Sequence, residues 1–414
     1  FKAEDAAAGN GADAFDGWHG VHGGFRSDWT LSPNDQATLQ GDLFGSSEGQ
    51  TISTLFLDQL SKGLQTVNDK VAVGSGNILG RLTHTFANGS EASVQLYYDD
   101  FRRLDQALNH ERTGDLDVQY HFQIGSRQDL VAGGGYRVTD QTYLNGYEVS
   151  FGTGHRTDTL SNVFLQDEVK ITNSLALTLG TKLEHNDYTG FELEPSAQIA
   201  WTPTSRQTVW ASVARAIRQP SWLDAQSNLD VATFPLSAGQ FGVVQIQGSP
   251  VIQAEQLLDF EVGYRTQLNK RVSLDLVAFQ SHYTNLRSQE PEPPYFALIS
   301  GAPYLVTPSV FGNLAHAHDY GGELSANWDV TKRWRVSPGF SFLQMKIGVD
   351  PTSHDTTTPG SFGDSPKYQG QIRSALNLPH HLEWDMAAYY VSRLDFGPIP
   401  AYLRLETRLG WKFG

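Results

Sequence analysis

One stretch limits the possible folds more than any other. Between Gln256 and Leu268 the chain alternates without a break. One parity carries Leu258, Phe260, Val262 and Tyr264, and the other carries Asp259, Glu261, Gly263, Arg265 and Gln267. A period of two marks a strand with one apolar and one polar face. Asn269, Lys270 and Arg271 make a polar turn, and Val272, Leu274 and Leu276 open a return strand against Ser273 and Asp275. The two runs predict an antiparallel hairpin. A soluble sandwich buries its apolar face, whereas an outer-membrane barrel turns that face to lipid and keeps the polar one for its lumen. A single hairpin serves either architecture, so the choice rests on the rest of the chain.

The hairpin pattern recurs along the sequence. Short polar turns are predicted at 32–35, 87–90, 125–128, 172–174, 204–206, 269–271, 331–333 and 379–381. Asn88-Gly89 is the strongest of these signals. Longer connections are predicted at 45–73, 100–113, 141–158, 219–255, 288–309 and 349–365, with one short crossing between Glu184 and Trp201. The result is about seventeen strands, each near the roughly 9–11 residues that cross a bilayer at a tilt. Tight turns at one end and long loops at the other are the asymmetry of an outer-membrane barrel, with its short periplasmic turns and long extracellular loops. A β-propeller would repeat a blade every 40–50 residues or so, and no such repeat is present. Trp29, Trp201, Trp328, Trp334 and Trp384 each fall within a few residues of a short turn. Interfacial aromatics gather there as a girdle, although aromatic capping of a soluble sandwich would use the same positions.

Composition narrows the classes further. Hydrophobic residues make up 39% of the 414, but no uninterrupted apolar run approaches the roughly 18–20 residues a spanning helix needs. A soluble protein or a membrane β-barrel remains. The formal net charge of −15 argues against nucleic acid as a partner. Cysteine is absent, in keeping with passage through an oxidising periplasm. The chain opens at Phe1 without a basic and apolar leader, which reads as a truncated start. Residues 1–17, small, acidic and aperiodic, are expected to be loop.

A family resemblance enters at 210–221, which reads WASVARAIRQPS. Arg215, Ala216, Ile217, Arg218, Pro220 and Ser221 resemble the motif at the top of a middle strand in TonB-dependent outer-membrane transporters. Residues 183–190, 260–265, 320–324 and 399–402 are similar to that family in the same order, so the likeness runs over nearly the whole chain. The resemblance implies a 22-stranded barrel with an N-terminal plug inside it. On that reading 1–414 is a partial barrel domain without its plug, lacking about three strands at the front and two at the back. It also implies a bacterial outer-membrane location, surrounding lipid, an iron–siderophore complex as ligand and energy from the TonB complex acting through the plug. A passive porin-like channel and an outer-membrane barrel enzyme are the alternatives.

The candidate chemistry is sparse. His19 and His22 are three apart and so point to opposite faces of one strand. His316 and His318 share a face, but that parity continues through Leu324, Ala326 and Trp328, the lipid side. No metal or cofactor is expected. Asp259, Glu261, Arg265 and Glu323 are read as lumen charges meeting water or a plug. No Ser/His/Asp set, phosphate-binding loop or zinc spacing stands out, so no catalytic residue is assigned. Arg215 and Arg218 end a strand beneath the longest loop, either as guanidiniums aimed at an anionic ligand or as a structural pair. Tyr188, His155 and Tyr283 lie at loop bases on the outer side and are further ligand candidates.

Overall fold

A computed structural model describes residues 2–3, 14–55, 64–105, 108–146, 148–236, 240–299, 302–360, 365–395 and 399–412. Most of the expected loop at 1–17 lies outside these residues; of the described part, 14–17 is without regular structure, while Lys2 and Ala3 pair with His19 and Trp18. Phe413 also lies outside them.

The chain runs up and down as one antiparallel meander. β1 (Trp18–Thr30), β2 (Asp35–Leu55), β3 (Leu64–Thr85) and β4 (Glu91–Leu104) lead to β5 (Leu108–Ile124) and β6 (Gln128–Leu144). Next come β7 (His155–Thr172), β8 (Leu175–Asn186), β9 (Gly190–Thr204) and β10 (Gln207–Arg218). β11 (Glu255–Asn269) and β12 (Val272–Pro291) form the hairpin read first in the sequence, followed by β13 (Ala302–Thr331) and β14 (Trp334–Val349). β15 (Tyr368–Leu378), β16 (Leu382–Val391) and β17 (Tyr402–Trp411) end the wall. Each strand pairs with the next, from β1–β2 through to β16–β17. Among the described residues no ladder joins β17 back to β1. No helix there is long and apolar enough to cross a membrane, so any crossing is made by strands.

Exposure decides which face is which. Phe260 and Val262 are 44% and 50% exposed, while Asp259 and Glu261 between them are half-buried. A soluble core would reverse that order. The polar parity lines a concavity of about 500 Å³, with Arg265, Asp275, Glu323, Ser341, Gln371 and Tyr389 in its lining. Apolar side chains therefore cover the convex face and charged ones the concave face, as in a barrel bathed in lipid. Gly263 sits on the concave parity because the Trp210 ring lies across it, leaving no room for a Cβ. Trp29, Trp201, Trp328, Trp334 and Trp384 are all exposed beside short turns. The indole N–H groups of Trp334 and Trp384 donate to Ser374 and Thr407, leaving the rings outside. His316, His318 and Tyr320 alternate with buried Ala315, Ala317 and Asp319, and the register through Gly321 and Gly322 is unshifted, so both histidines are on the outer face.

Four of the expected long connections are largely strand. β2 and β3 run for 21 and 22 residues and take in most of 45–73. Ladder pairs continue to Leu104↔Leu108 inside 100–113 and to Thr142↔His155 inside 141–158. The end of β12, the short strand Tyr295–Ile299 and the start of β13 together take in most of 288–309. Apolar alternation marks only the part of a strand that meets lipid. Above the bilayer both faces are wet, the alternation fades, and the backbone ladder continues because its N–H and C=O groups still need partners.

Candidate functional site

The connection from Arg218 to Glu255 is the longest on the side of the long loops, and it builds a cap. Ser221 starts a one-turn helix, Trp222–Gln226, with a capping box. The Ser221 hydroxyl accepts from the Asp224 N–H, and the Asp224 carboxylate accepts from the Ser221 N–H at 3.0 Å. The strands Ser227–Pro235 and Phe241–Gln247 follow as a hairpin. Ser227, Asn228 and Leu229 pair with Phe151, Ser150 and Val149 from the β6–β7 connection. On the other side Gly242 to Gln247 run parallel to Leu305 to Val310 at the top of β13, which in turn pairs with Tyr295–Ile299.

This cap has its own apolar core. Ala225, Ile252 and Phe311 are buried together, with Tyr188, Leu223, Leu229 and Ile246 packed against them. Trp222 packs against Phe151 in a tilted pair at 4.2 Å between ring centroids, and Phe151 meets Tyr143 edge-on at 4.9 Å. Val243 and Val306 are fully buried in the adjoining ladder. Side chains of this size stabilise by about 1.5–3 kcal/mol each when fully removed from water.

A charged cluster fastens the cap to the wall. Asp224 is 2% exposed and accepts from both Arg287 and Arg218. Arg218 Nε also donates to Glu255 at 2.7 Å, and the Arg287 N–H donates to the same carboxylate at 2.9 Å. The Arg287 guanidinium lies 4.5 Å over the Phe311 ring. Burial pushes the Asp224 pKa up, but Ser221 and Arg287 more than offset it and leave it below the ordinary carboxylate value. Glu255 is also held low, burial being outweighed by Arg218 and by the Arg287 N–H. Groups with depressed folded-state pKa values stabilise fully above the unfolded value and lose that contribution as pH falls. Resistance of the 219–254 segment to protease is therefore expected to be constant from neutral pH down to about pH 5. It should fall once the pH drops through and below roughly 4, the ordinary carboxylate range.

The candidate ligand residues do not converge on one point. Arg215 and Arg218 are three apart, and the parity rule that separates His19 from His22 separates them too. Arg218 shares a face with lumen-side Ala216 and Ala214, the latter opposite Asp259. Arg215 shares one with Val213, opposite lipid-facing Phe260. The β9–β10 ladder ends at Ser196↔Ala214, and the next residue up, Pro195, has no N–H. Arg215 fills that break, donating to the Leu193 carbonyl and pairing with Glu192 at 3.2 Å. Tyr188 is half-buried in the β8–β9 turn. Its hydroxyl donates to Asp158 at 2.6 Å and Arg156 covers its ring at 4.4 Å. Burial and the Asp158 carboxylate push its ionisation far above the ordinary tyrosine value. His155 is exposed, with Nε2 2.8 Å from Asp140. Tyr283 is half-buried on the lumen parity, opposite Leu257. Asp259 accepts from Ser281 at 2.7 Å, and Arg265 pairs with Asp275 at 2.6 Å. Glu323 is exposed on the concave face.

As a bare connection, 219–255 offers no reason to single out Trp222 or Asp224, and Arg287 and Phe311 lie at strand ends outside it. One signal was available, since Ser221-x-x-Asp224 is a helix-start signature ahead of Ala225. Among the described residues no group of three or more His, Asp or Glu is placed to hold a metal ion.

Comparison with known proteins agrees with this architecture. A family model described as "TonB dependent receptor-like, beta-barrel" matches residues 4–414. An iron-regulated outer membrane virulence protein of Vibrio cholerae serotype O1 is 21% identical over 228 residues, 55% of this chain and 31% of that protein. A ferric enterobactin receptor of Pseudomonas aeruginosa is 26% identical over 127 residues, 30% of this chain and 17% of that one. Among solved structures, the siderophore receptor PirA from Acinetobacter baumannii superposes with a TM-score of 0.74 at 14% identity, covering 96% of this chain and 65% of that one. PirA from Pseudomonas aeruginosa gives 0.70 at 13% identity with the same coverage. The chain thus spans at most about a third of these curated relatives and about two thirds of these solved structures. The family and its neighbours are outer-membrane receptors and transporters, not enzymes. This chain, with its exposed apolar face and charged concave face, belongs to the TonB-dependent receptor β-barrel family of the bacterial outer membrane.

Proposed function

We propose that this chain is the barrel of an active import receptor for a ferric siderophore, with a plug seated in its lumen and energy supplied through the TonB complex. The observation that carries the proposal is the inside-out wall joined to an ordered extracellular cap, a charged lumen opening beneath a built mouth. The relatives, an iron-regulated outer membrane protein and a ferric enterobactin receptor, point to iron. In this reading Arg218, His155 and Tyr283 remain available to the ligand, because Arg218 and His155 keep 52% and 60% of their side chains exposed. Arg215 and Tyr188 act as fasteners of the wall and cap. Asp259, Glu261, Arg265 and Glu323 face the plug.

The test is uptake of an iron-55 chelate by iron-starved cells expressing the receptor. Uptake is expected to saturate and to stop when a protonophore collapses the inner-membrane gradient. Uptake that continues without the gradient would instead indicate a passive channel.

A further inference from the structure

We propose that the extracellular cap is folded before any ligand arrives and stays closed through the transport cycle, acting as a fixed wall of the mouth and not as a lid. The transport cycle in this statement rests on the receptor reading above; the folded state of the cap does not.

The structural reason is interlocking. Segments far apart in sequence each hold the others. Ser227 to Leu229 are paired with Val149 to Phe151, and Gly242 to Gln247 with Leu305 to Val310. The β14–β15 connection joins as well: Asp355 accepts from the Gln289 N–H at 2.8 Å, and Ser353 Oγ donates to Glu290 at 2.8 Å. Asn313 is tied to the Gln253 backbone in both directions, at 2.7 and 3.1 Å. The Gln253–Asn313 pair is exposed, but Asp224, Ser288 and Asp355 within the interlock are dry, at 2%, 0% and 4% exposed. Lifting the 219–254 segment would break the ladder hydrogen bonds to 149–151 and 305–310, pull Trp222 from Phe151 and strip Asp224 of its guanidiniums. Mobile lids have the opposite character, with few buried contacts and solvent-exposed backbone bonds. A ligand entering beside a finished wall incurs no cost for ordering it, so any rearrangement during transport lies outside the cap.

Two measurements on the receptor test this. First, residues 1–414 have no cysteine, so Ser150→Cys with Asn228→Cys introduces a single pair within them. The two positions are Cα partners on antiparallel strands, spaced about 4.5–5.5 Å and so within disulfide reach. The cross-linked receptor is expected to import an iron(III) tris-catecholate or trihydroxamate at a rate within about twofold of the reduced form, since no step on the path opens the cap. Import abolished by oxidation and restored by reductant would overturn the proposal. Second, amide hydrogen exchange on the unaltered, ligand-free receptor is expected to show Ser227–Pro235 and Phe241–Gln247 as protected as the barrel wall. Exchange there at the rate of an unstructured peptide would overturn the proposal without reference to the cysteine variant. If the unaltered receptor imports neither chelate, the receptor reading fails, and the exchange result still decides whether the cap is prefolded.

Discussion

Replacing Asp224 with alanine is expected to unfasten the extracellular cap while leaving the barrel wall standing. The carboxylate is 2% exposed, caps the helix Trp222–Gln226 and receives two guanidiniums. Its removal leaves Arg287 and Arg218 without that partner and the helix without its reciprocal cap. Breaking a buried ion pair from one side costs about 3–5 kcal/mol. Arg287 and Arg218 are 40% and 52% exposed, so water recovers part of that and about 2–4 kcal/mol is the expected loss. At roughly 1.4 kcal/mol per tenfold, protease cleavage within 219–254 should rise about thirtyfold or more. The wall, whose ladders do not use Asp224, should keep its resistance to heat and detergent. Asp224→Asn preserves the shape and some hydrogen bonding, and should fall between the variant and the parent. An Asp224→Ala receptor cleaved no faster than the parent would show that the cap is held by its apolar core alone.

The second large effect is expected at the middle of β11. Val262 sits on the apolar parity at 50% exposure, and Glu261 beside it is half-buried on the polar one. Val262→Lys places a charge on the lipid face near the centre of the crossing, at a cost of about 2–4 kcal/mol. Glu261→Gln, one residue away on the wet face, should stay within about 0.5 kcal/mol. Urea titration of the receptor folded into lipid vesicles measures both. Equal costs, or the reverse order, would place the two faces wrongly.

These expectations also mark how far the sequence could be read. Period-2 alternation at 256–268 and polar turns such as Asn88-Gly89 are local, so the strand meander and its two faces were legible. Parity was legible as well, though applied unevenly: the spacing that excluded His19 with His22 as one site also divides Arg215 from Arg218. The upper parts of β2, β3 and β13 were not legible, because water on both faces removes the alternation while the ladder persists. The cap was hidden for a different reason. Its core joins Phe151, Trp222, Ile252 and Phe311, contributed by two separate connections and the top of β13, and no local pattern announces such pairings. The Asp224 cluster likewise draws on β10, the cap helix, β11 and β12.

The most direct measurement is the environment of side chains along one strand pair. Phe260→Cys, Glu261→Cys, Val262→Cys, Glu323→Cys and Leu324→Cys can each carry a nitroxide as the only thiol adduct. In lipid vesicles, labels at 260, 262 and 324 are expected to collide mainly with oxygen dissolved in the hydrocarbon. Labels at 261 and 323 should collide mainly with a water-soluble nickel complex. Oxygen-dominated collisions at 261 and 323, or a dry, collision-free interior at 260, 262 and 324, would contradict a wall whose apolar face meets lipid.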